Sequence, residues 1–236
     1  NMKPWFSTWF DSAYYPILYQ HRNDKEAENF IDNLLAFLPK QDHAEWLDLA
    51  CGNGRHAIHL AKKGCNVTGL DLSPNAIQHA KKTADDLHLA VDFDVHDMRQ
   101  PLSPRQFDFI FNLFTSFGYF SSQEEEIATL QSICQALKSR SSYLVIDFLN
   151  ARKVIDGLVP VETKLLSGIT FNLQRYIRNK KVIKEIHFQD NGQLFHFEES
   201  VNLLFEEDFK SLFDQVGLHI RHTFGNYTLD PFDLDR

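Results

Sequence analysis

Cysteine is scarce in this 236-residue chain: Cys51, Cys65 and Cys134 stand alone at wide spacing. That excludes a disulfide framework and a cysteine-held metal quartet, and it points to the reducing cytoplasm. Long apolar runs are missing too. A membrane span needs about 18 or more apolar residues, and the aromatic-rich stretch 107–120 is broken by Asp108 and Asn112. The opening Met2-Lys3-Pro4-Trp5 lacks the apolar centre of a secretory leader. Positive charge is in deficit: 24 Lys and Arg against 32 Asp and Glu leave a formal charge of −8. This balance argues against a nucleic-acid partner, though it leaves room for a local basic patch. The chain has no internal repeat, no low-complexity tract and no linker long enough to part independent domains.

Aromatics, by contrast, are plentiful, with 21 phenylalanines; they dominate core burial and also line apolar ligand pockets. Residues 5–19 are crowded with them. Trp5/Trp9 and Phe6/Phe10 are i,i+4 pairs that a helix brings to one side, either packed on the body of the protein or laid over a pocket as a lid. Residues 25–38 have helical spacing of Ala27, Phe30, Ile31, Leu34 and Leu38, ended by Pro39.

Strands and helices then alternate. Strands are expected at 45–49, 66–70, 90–95, 107–111 and 143–148. The intervening helices begin after Gly54, at Ser73-Pro74 and at Ser122, where Glu125 completes a capping pattern. Such alternation implies a parallel sheet covered on both faces. The pattern changes after Asn150. Residues 161–205 predict strands at 169–177, 182–188 and 193–204, with Asp190-Asn191-Gly192 as a hairpin turn. A helix at 206–216 and a sixth core strand at 218–224 follow, with no seventh strand in 229–236. The fold class is therefore α/β, a Rossmann-like doubly wound, mostly parallel sheet with an antiparallel β insert after strand five. The expected divisions are an N-terminal helical lid (1–38), a cofactor-binding core (39–150), the insert (151–205) and a return to the core sheet (206–236). The insert is expected to serve an acceptor pocket or a homodimer interface.

The densest chemistry lies in Leu47-Asp48-Leu49-Ala50-Cys51-Gly52-Asn53-Gly54-Arg55-His56. An apolar strand ends in a carboxylate, and a glycine-bearing turn opens a helix whose first N–H groups are unpaired. The second strand ends in Asp71, placed to accept ribose hydroxyls. Gly52-x-Gly54-x-x-Ala57 matches a dinucleotide fingerprint, but Asp48 would set a negative charge beside a pyrophosphate. A sulfonium cofactor that also carries an ammonium group suits that charge, and Asp97 after the third strand can take the amine of an adenine.

With Leu47–Asp71, His96-Asp97-Met98 and Phe107-Asp108 in this order, the chain resembles the class I S-adenosylmethionine-dependent methyltransferases over roughly residues 25–150. Ala50 stands where that family's first motif glycine usually lies. The resemblance implies that Asp48, Ala50, Gly52 and Gly54 surround the methionine part of the cofactor. It further implies that Asp71 holds the ribose, that Leu72, Asp97 and Met98 frame the adenine, and that Asn112 and Leu113 lie under the sulfonium. More loosely, Asn112–Phe120 and the stretch holding Tyr14, Tyr15, Tyr19 and Arg22 are similar to parts of bacterial sugar N,N-dimethyltransferases. This implies Tyr19 and Arg22 over the cofactor, with Arg22 on its carboxylate, and Tyr15, Ser116 and Tyr119 on the reacting side. Arg55 is the rival for the carboxylate unless it points to solvent. Phe114, Phe117 and Phe120 are expected in the core.

The function so implied is S-adenosylmethionine-dependent methyl transfer to a small-molecule acceptor by direct displacement. Two alternatives stand beside it: a catalytically inactive S-adenosylmethionine-binding module, and a nicotinamide-dependent oxidoreductase. His56 and His59, three apart on a helix, lack further ligands, so no metal is expected and both are placed at the surface. His21 and His96 are candidate bases near the pocket. The expected partners are a small-molecule acceptor and a second copy of the chain, without nucleic acid or membrane.

Overall fold

The computed structural model describes residues 3–22 and 24–233. Strands β1 (Glu45–Leu49), β2 (Asn66–Asp71), β3 (Asp92–Val95), β4 (Phe109–Asn112) and β5 (Tyr143–Ile146) form one sheet in the order β3-β2-β1-β4-β5. All four pairings are parallel. The order reverses at β1, so a crevice opens beyond the C-terminal ends of β1 and β4, where such sheets bind ligands.

Helices cover both faces because the central strands β1 and β4 bury successive side chains, which point to both. On one face, α3 (Asp24–Phe37), α4 (Arg55–Lys62) and α5 (Pro74–Asp86) enclose a core containing Phe30, Leu60, Ile77 and Phe109, with Trp46 stacked on Phe109 at 4.0 Å. On the other, α6 (Gln123–Ala136) and α8 (Glu206–Val216) enclose Leu47, Ile110, Leu130 and Leu212. The expected caps are present: Ser73 Oγ accepts from the Ala76 N–H at 3.0 Å, and Ser122 Oγ from the Glu125 N–H at 3.3 Å.

The insert is a four-stranded antiparallel sheet, β6 (Val161–Leu166), β7 (Ile169–Arg178), β8 (Lys181–Asp190) and β9 (Gln193–Asn202). All three of its turns hold two residues in the left-handed region: Ser167-Gly168, Asn179-Lys180 and Asn191-Gly192. Such turns match the twist of the strands they join. Its inner face, with Phe171, Leu173, Ile186 and Phe188, packs under Trp9 and Leu18 from α1 (Trp5–Phe10) and α2 (Tyr15–Leu18).

Three expectations need correction. First, 218–224 is not a sixth strand: it forms no ladder with β5, and Phe224 instead packs edge-on against Phe37 at 5.0 Å. The apolar/charged alternation there follows a segment lying on the end of α3, not a sheet edge. The return to the core therefore consists of α8. Nor does 229–233 form a strand beyond a single Phe224–Pro231 bridge; residues 234–236 lie outside the described part. Second, the 1–38 segment divides. Its aromatic front packs on the insert, whereas α3 packs on α4 as a core layer. Third, β6 and the short α7 (Ala151–Asp156, capped by the Asn150 side chain) were not anticipated.

Candidate active site

The turn after β1 is built from left-handed residues: Ala50 (φ 62°), Gly52 (φ 55°) and Gly54 (φ 82°). The two glycines serve different ends. A side chain at Gly52 would enter open space above the crevice, whereas one at Gly54 would lie 2.8 Å from the Phe93 ring. Gly54 thus lets α4 and the sheet approach, and Gly52 leaves the crevice clear. Asp71 ties the turn to the next helix. Its Oδ2 accepts the Gly52 N–H and its Oδ1 the Ser73 N–H, both at 2.8 Å.

Around this turn lie buried polar atoms without hydrogen-bond partners among the described residues: Asp48 Oδ2, Asn112 Oδ1 and Arg55 Nη1. Such orphans are costly in a folded protein and call for a ligand. Burial, and then the charge of Asp71, push the Asp48 carboxyl up to about 8. A carboxylate, an amide oxygen and a guanidinium left unmatched beside a helix start suit a ligand carrying both an ammonium and a carboxylate. The Asp48 and Asn112 oxygens are acceptors and would face a pyrophosphate with like charge or no donor. Arg55 does not point to solvent; its guanidinium lies 5.0 Å from the centre of the Phe114 ring, and Arg22 reaches the same ring at 5.0 Å. Phe114 is accordingly half-buried at the site, while Phe117 and Phe120 are core as expected.

At the third strand, Met98 is buried with its sulfur 3.8 Å from Asn112 Nδ2. Asp97 is already engaged: Arg99 donates to its two oxygens from Nη2 (2.7 Å) and Nε (3.1 and 3.2 Å), holding its carboxyl below the usual range. Leu72, beside Asp71, is half-buried.

Next to the crevice lies a chamber of about 380 Å³, reached by Tyr15, Tyr19, Arg22, Phe114, Thr115 and Tyr119. Burial raises the tyrosine hydroxyls, that of Tyr15 to about 12, so they stay protonated as donors. The insert supplies a wall that sequence reasoning missed: Glu162, Arg175, Lys184 and Glu199. Arg175, Lys184 and Glu199 stand directly opposite one another across β7, β8 and β9. Tyr19 donates to Glu199 (2.6 and 2.8 Å) and accepts from Lys184 Nζ (2.9 Å), and Trp9 Nε1 also donates to Glu199 (2.8 Å). Arg175 pairs with Glu162 at 2.8 Å. A signal for this row existed: centring the hairpin on Asn191-Gly192 sets Lys184 opposite Glu199 by counting alone.

Ser116 does not line the chamber; its hydroxyl donates to the Leu113 carbonyl at 2.5 Å. His21 and His96 also lie outside it, His96 facing a separate hollow at the β3 edge. His56 and His59 are buried, contrary to expectation, because α4 is covered by α3; His59 Nε2 contacts Asp32 Oδ1 at 2.8 Å. No group of residues suited to a metal occurs among the described residues. Nor is any described helix long and apolar enough to cross a membrane.

Comparison with known proteins agrees with this geometry. A family model described as a methyltransferase domain matches residues 47–140. The chain is 27% identical over 207 residues, 85% of each protein, to a dTDP-3-amino-3,4,6-trideoxy-alpha-D-glucopyranose N,N-dimethyltransferase of Streptomyces venezuelae. Its fold matches that of an S-adenosylmethionine-dependent methyltransferase from Clostridium acetobutylicum with a TM-score of 0.78 at 19% identity, covering 94% of this chain and 91% of the other. It likewise matches the S-adenosylmethionine-bound amino pentose methyltransferase of Micromonospora echinaspora, with a TM-score of 0.66 at 22% identity over 87% and 89% of the two chains. With its parallel sheet and its glycine turn, the chain holds a methyltransferase domain over residues 47–140 and shares the fold of S-adenosylmethionine-dependent methyltransferases.

Proposed function

We propose that the chain methylates a small molecule seated in the chamber between the β4 end, the N-terminal helices and the insert. One observation carries this reading: Phe114 and Thr115, leaving β4 beside the orphaned Asn112, are also chamber wall. Crevice and chamber therefore meet where a methyl group would cross.

When bound, the cofactor supplies an electrophilic methyl group on its sulfonium. In this reading Asp48 faces the ammonium, with Ala50, Gly52 and Gly54 shaping the turn beneath it, and Asn112 borders the sulfonium. Asp71 accepts the ribose hydroxyls on lone pairs left free by its two backbone bonds, Leu72 and Met98 flank the adenine, and Asp97 takes the base amine alongside Arg99. Arg22 and Arg55, both on Phe114, serve the methionine carboxylate together, so they need not compete. On the acceptor side, Tyr15 and Tyr119 face the reacting atom and the aromatic helices exclude water; Tyr19, expected over the cofactor, is given to this side instead, because Lys184 and Glu199 of the insert hold its hydroxyl. We give Ser116 a turn-holding role. An acceptor of this size is a metabolite and not a nucleic acid, and three unpaired cysteines suit a cytoplasmic enzyme.

Titration calorimetry with S-adenosylmethionine and with NAD tests the cofactor, and transfer of labelled methyl to a panel of small amines and hydroxy compounds tests the reaction. The amino-sugar nucleotide named for the Streptomyces venezuelae relative is the first acceptor to try. Binding of S-adenosylmethionine alone, with transfer to at least one compound, is expected. NAD binding, or no transfer across the panel, would overturn the proposal.

A further inference from the structure

The loop leaving β4 holds two consecutive non-glycine residues in the left-handed region, Phe114 (φ 57°) and Thr115 (φ 52°). Neither side chain favours that conformation, so the surroundings must impose it, and such strain gathers at working sites. The imposing group is Asp147, just past β5. Its Oδ2 accepts the Phe114 N–H at 2.9 Å and its own carbonyl accepts the Thr115 N–H at 2.9 Å.

The same Oδ2 accepts the Tyr227 hydroxyl at 2.8 Å, brought by the segment after α8 from far along the chain. Tyr227 is itself fixed: its ring stacks on Phe30 at 4.3 Å, and its carbonyl accepts Asn33 Nδ2 at 2.9 Å. The result is a Phe114 ring in a set place, with the Arg22 and Arg55 guanidiniums each 5.0 Å from its centre.

We propose that Asp147, tied down by Tyr227, is a positioning residue: it locks the left-handed Phe114–Thr115 turn and thereby sets Arg22 and Arg55 for the methionine carboxylate. This rests on the carboxylate role given above to the two arginines. It also gives the 218–233 segment a task in place of the sheet strand it does not form. Burial pushes the Asp147 carboxyl up on balance, while the bonds from the Phe114 N–H and the Tyr227 hydroxyl, and after them the Arg22 charge, draw it down.

The test compares two ligands, S-adenosylmethionine and 5′-methylthioadenosine, which keeps the adenosine but lacks the amino-acid part. Calorimetry on Asp147→Ala should show S-adenosylmethionine binding weakened about tenfold, with methylthioadenosine binding unchanged. Should that variant fold poorly, Tyr227→Phe removes only the tie and should weaken S-adenosylmethionine binding about threefold with the same selectivity. Equal losses for both ligands, or none, would overturn the inference. The variants Arg22→Ala and Arg55→Ala separate the layers. If they leave S-adenosylmethionine binding intact, the carboxylate reading fails and this inference with it. If they weaken it and the Asp147 and Tyr227 variants do not, only the positioning role fails.

Discussion

The two sides of the cleft are made in different ways. The side proposed for the cofactor is written in a short run of chain: one turn of left-handed residues, Asp48 and Asp71 near the C-terminal ends of β1 and β2, and backbone N–H groups held by Asp71. The acceptor side is assembled from distant pieces. Tyr19 from the N-terminal helices meets Lys184 of β8 and Glu199 of β9, residues 165 and 180 positions away. Backbone geometry serves a ligand whose shape is fixed, and side chains from separate elements can be exchanged without disturbing that frame. Variants on one side should therefore affect one ligand only.

The largest effect is expected at Asp71. Its two oxygens hold the Gly52 and Ser73 N–H groups, so Asp71→Ala loosens the turn and, under the ribose role proposed for it, also removes the acceptor of the ribose hydroxyls. Each buried, charge-assisted bond is worth about 1.5–3 kcal/mol, and S-adenosylmethionine affinity should fall by about tenfold to a hundredfold. Unchanged affinity in a folded variant would break the assignment.

Next come Lys184→Met and Glu199→Gln. The first removes the donor to the Tyr19 hydroxyl and the second the charge of its acceptor, and methyl transfer should slow by about tenfold. Cofactor affinity measured by calorimetry should stay within about twofold. A matching loss of cofactor affinity would mean that the row supports the whole cleft, and the division between the two sides would collapse.

How much of this was legible follows the same division. Strands β1 and β2 and the residues of the turn could be read directly, because short-range pattern dictates them: an apolar run, a carboxylate, then residues at positive φ. The chamber wall could be read only in part: the Asn191-Gly192 hairpin sets Lys184 opposite Glu199, but no local pattern says that the N-terminal helices bring Tyr19 over that row. β6 escaped because Val161 and Leu165 are exposed, so its alternation lacks a buried stripe. The segment 218–224 misled for the converse reason, having alternation without a partner strand. Arg55 and His56 illustrate a third limit. Their burial comes from α3 and Phe114, elements that only the tertiary fold brings over α4.

Asp48 sharpens the comparison through pH. In the fold its carboxyl titrates near 8, against 3.8 for the ordinary group. Between those values the folded chain keeps a proton that the unfolded chain has released. Its contribution to stability is therefore largest at the acid end and declines as pH rises through that window. Without cofactor, the melting temperature of the wild type should fall relative to Asp48→Asn between about pH 5 and pH 8. At pH 7, binding of the ammonium-bearing cofactor should release up to about one proton from Asp48, read from the buffer dependence of the calorimetric heat. A flat difference between the two proteins would show that Asp48 is ionised throughout.

The smallest effect is expected at Ala50, where the related family usually has glycine. Ala50 sits at φ 62°, and an L-residue there costs roughly 1–2 kcal/mol. Ala50→Gly relieves that strain but gives back about 0.4–1 kcal/mol in the greater freedom of the unfolded chain. It also removes a methyl that packs against the core beneath α6, worth up to about 0.8 kcal/mol. The three terms nearly cancel, which is why alanine can stand in the turn. Stability should change by less than about 1 kcal/mol, or roughly 2–4 °C in melting temperature. The Gly52 backbone that Asp71 holds does not depend on the Ala50 side chain, so cofactor affinity should stay within about twofold. A large gain in affinity would mean that the methyl group intrudes on the methionine part of the cofactor, and that the turn on this side is not fully formed for its ligand.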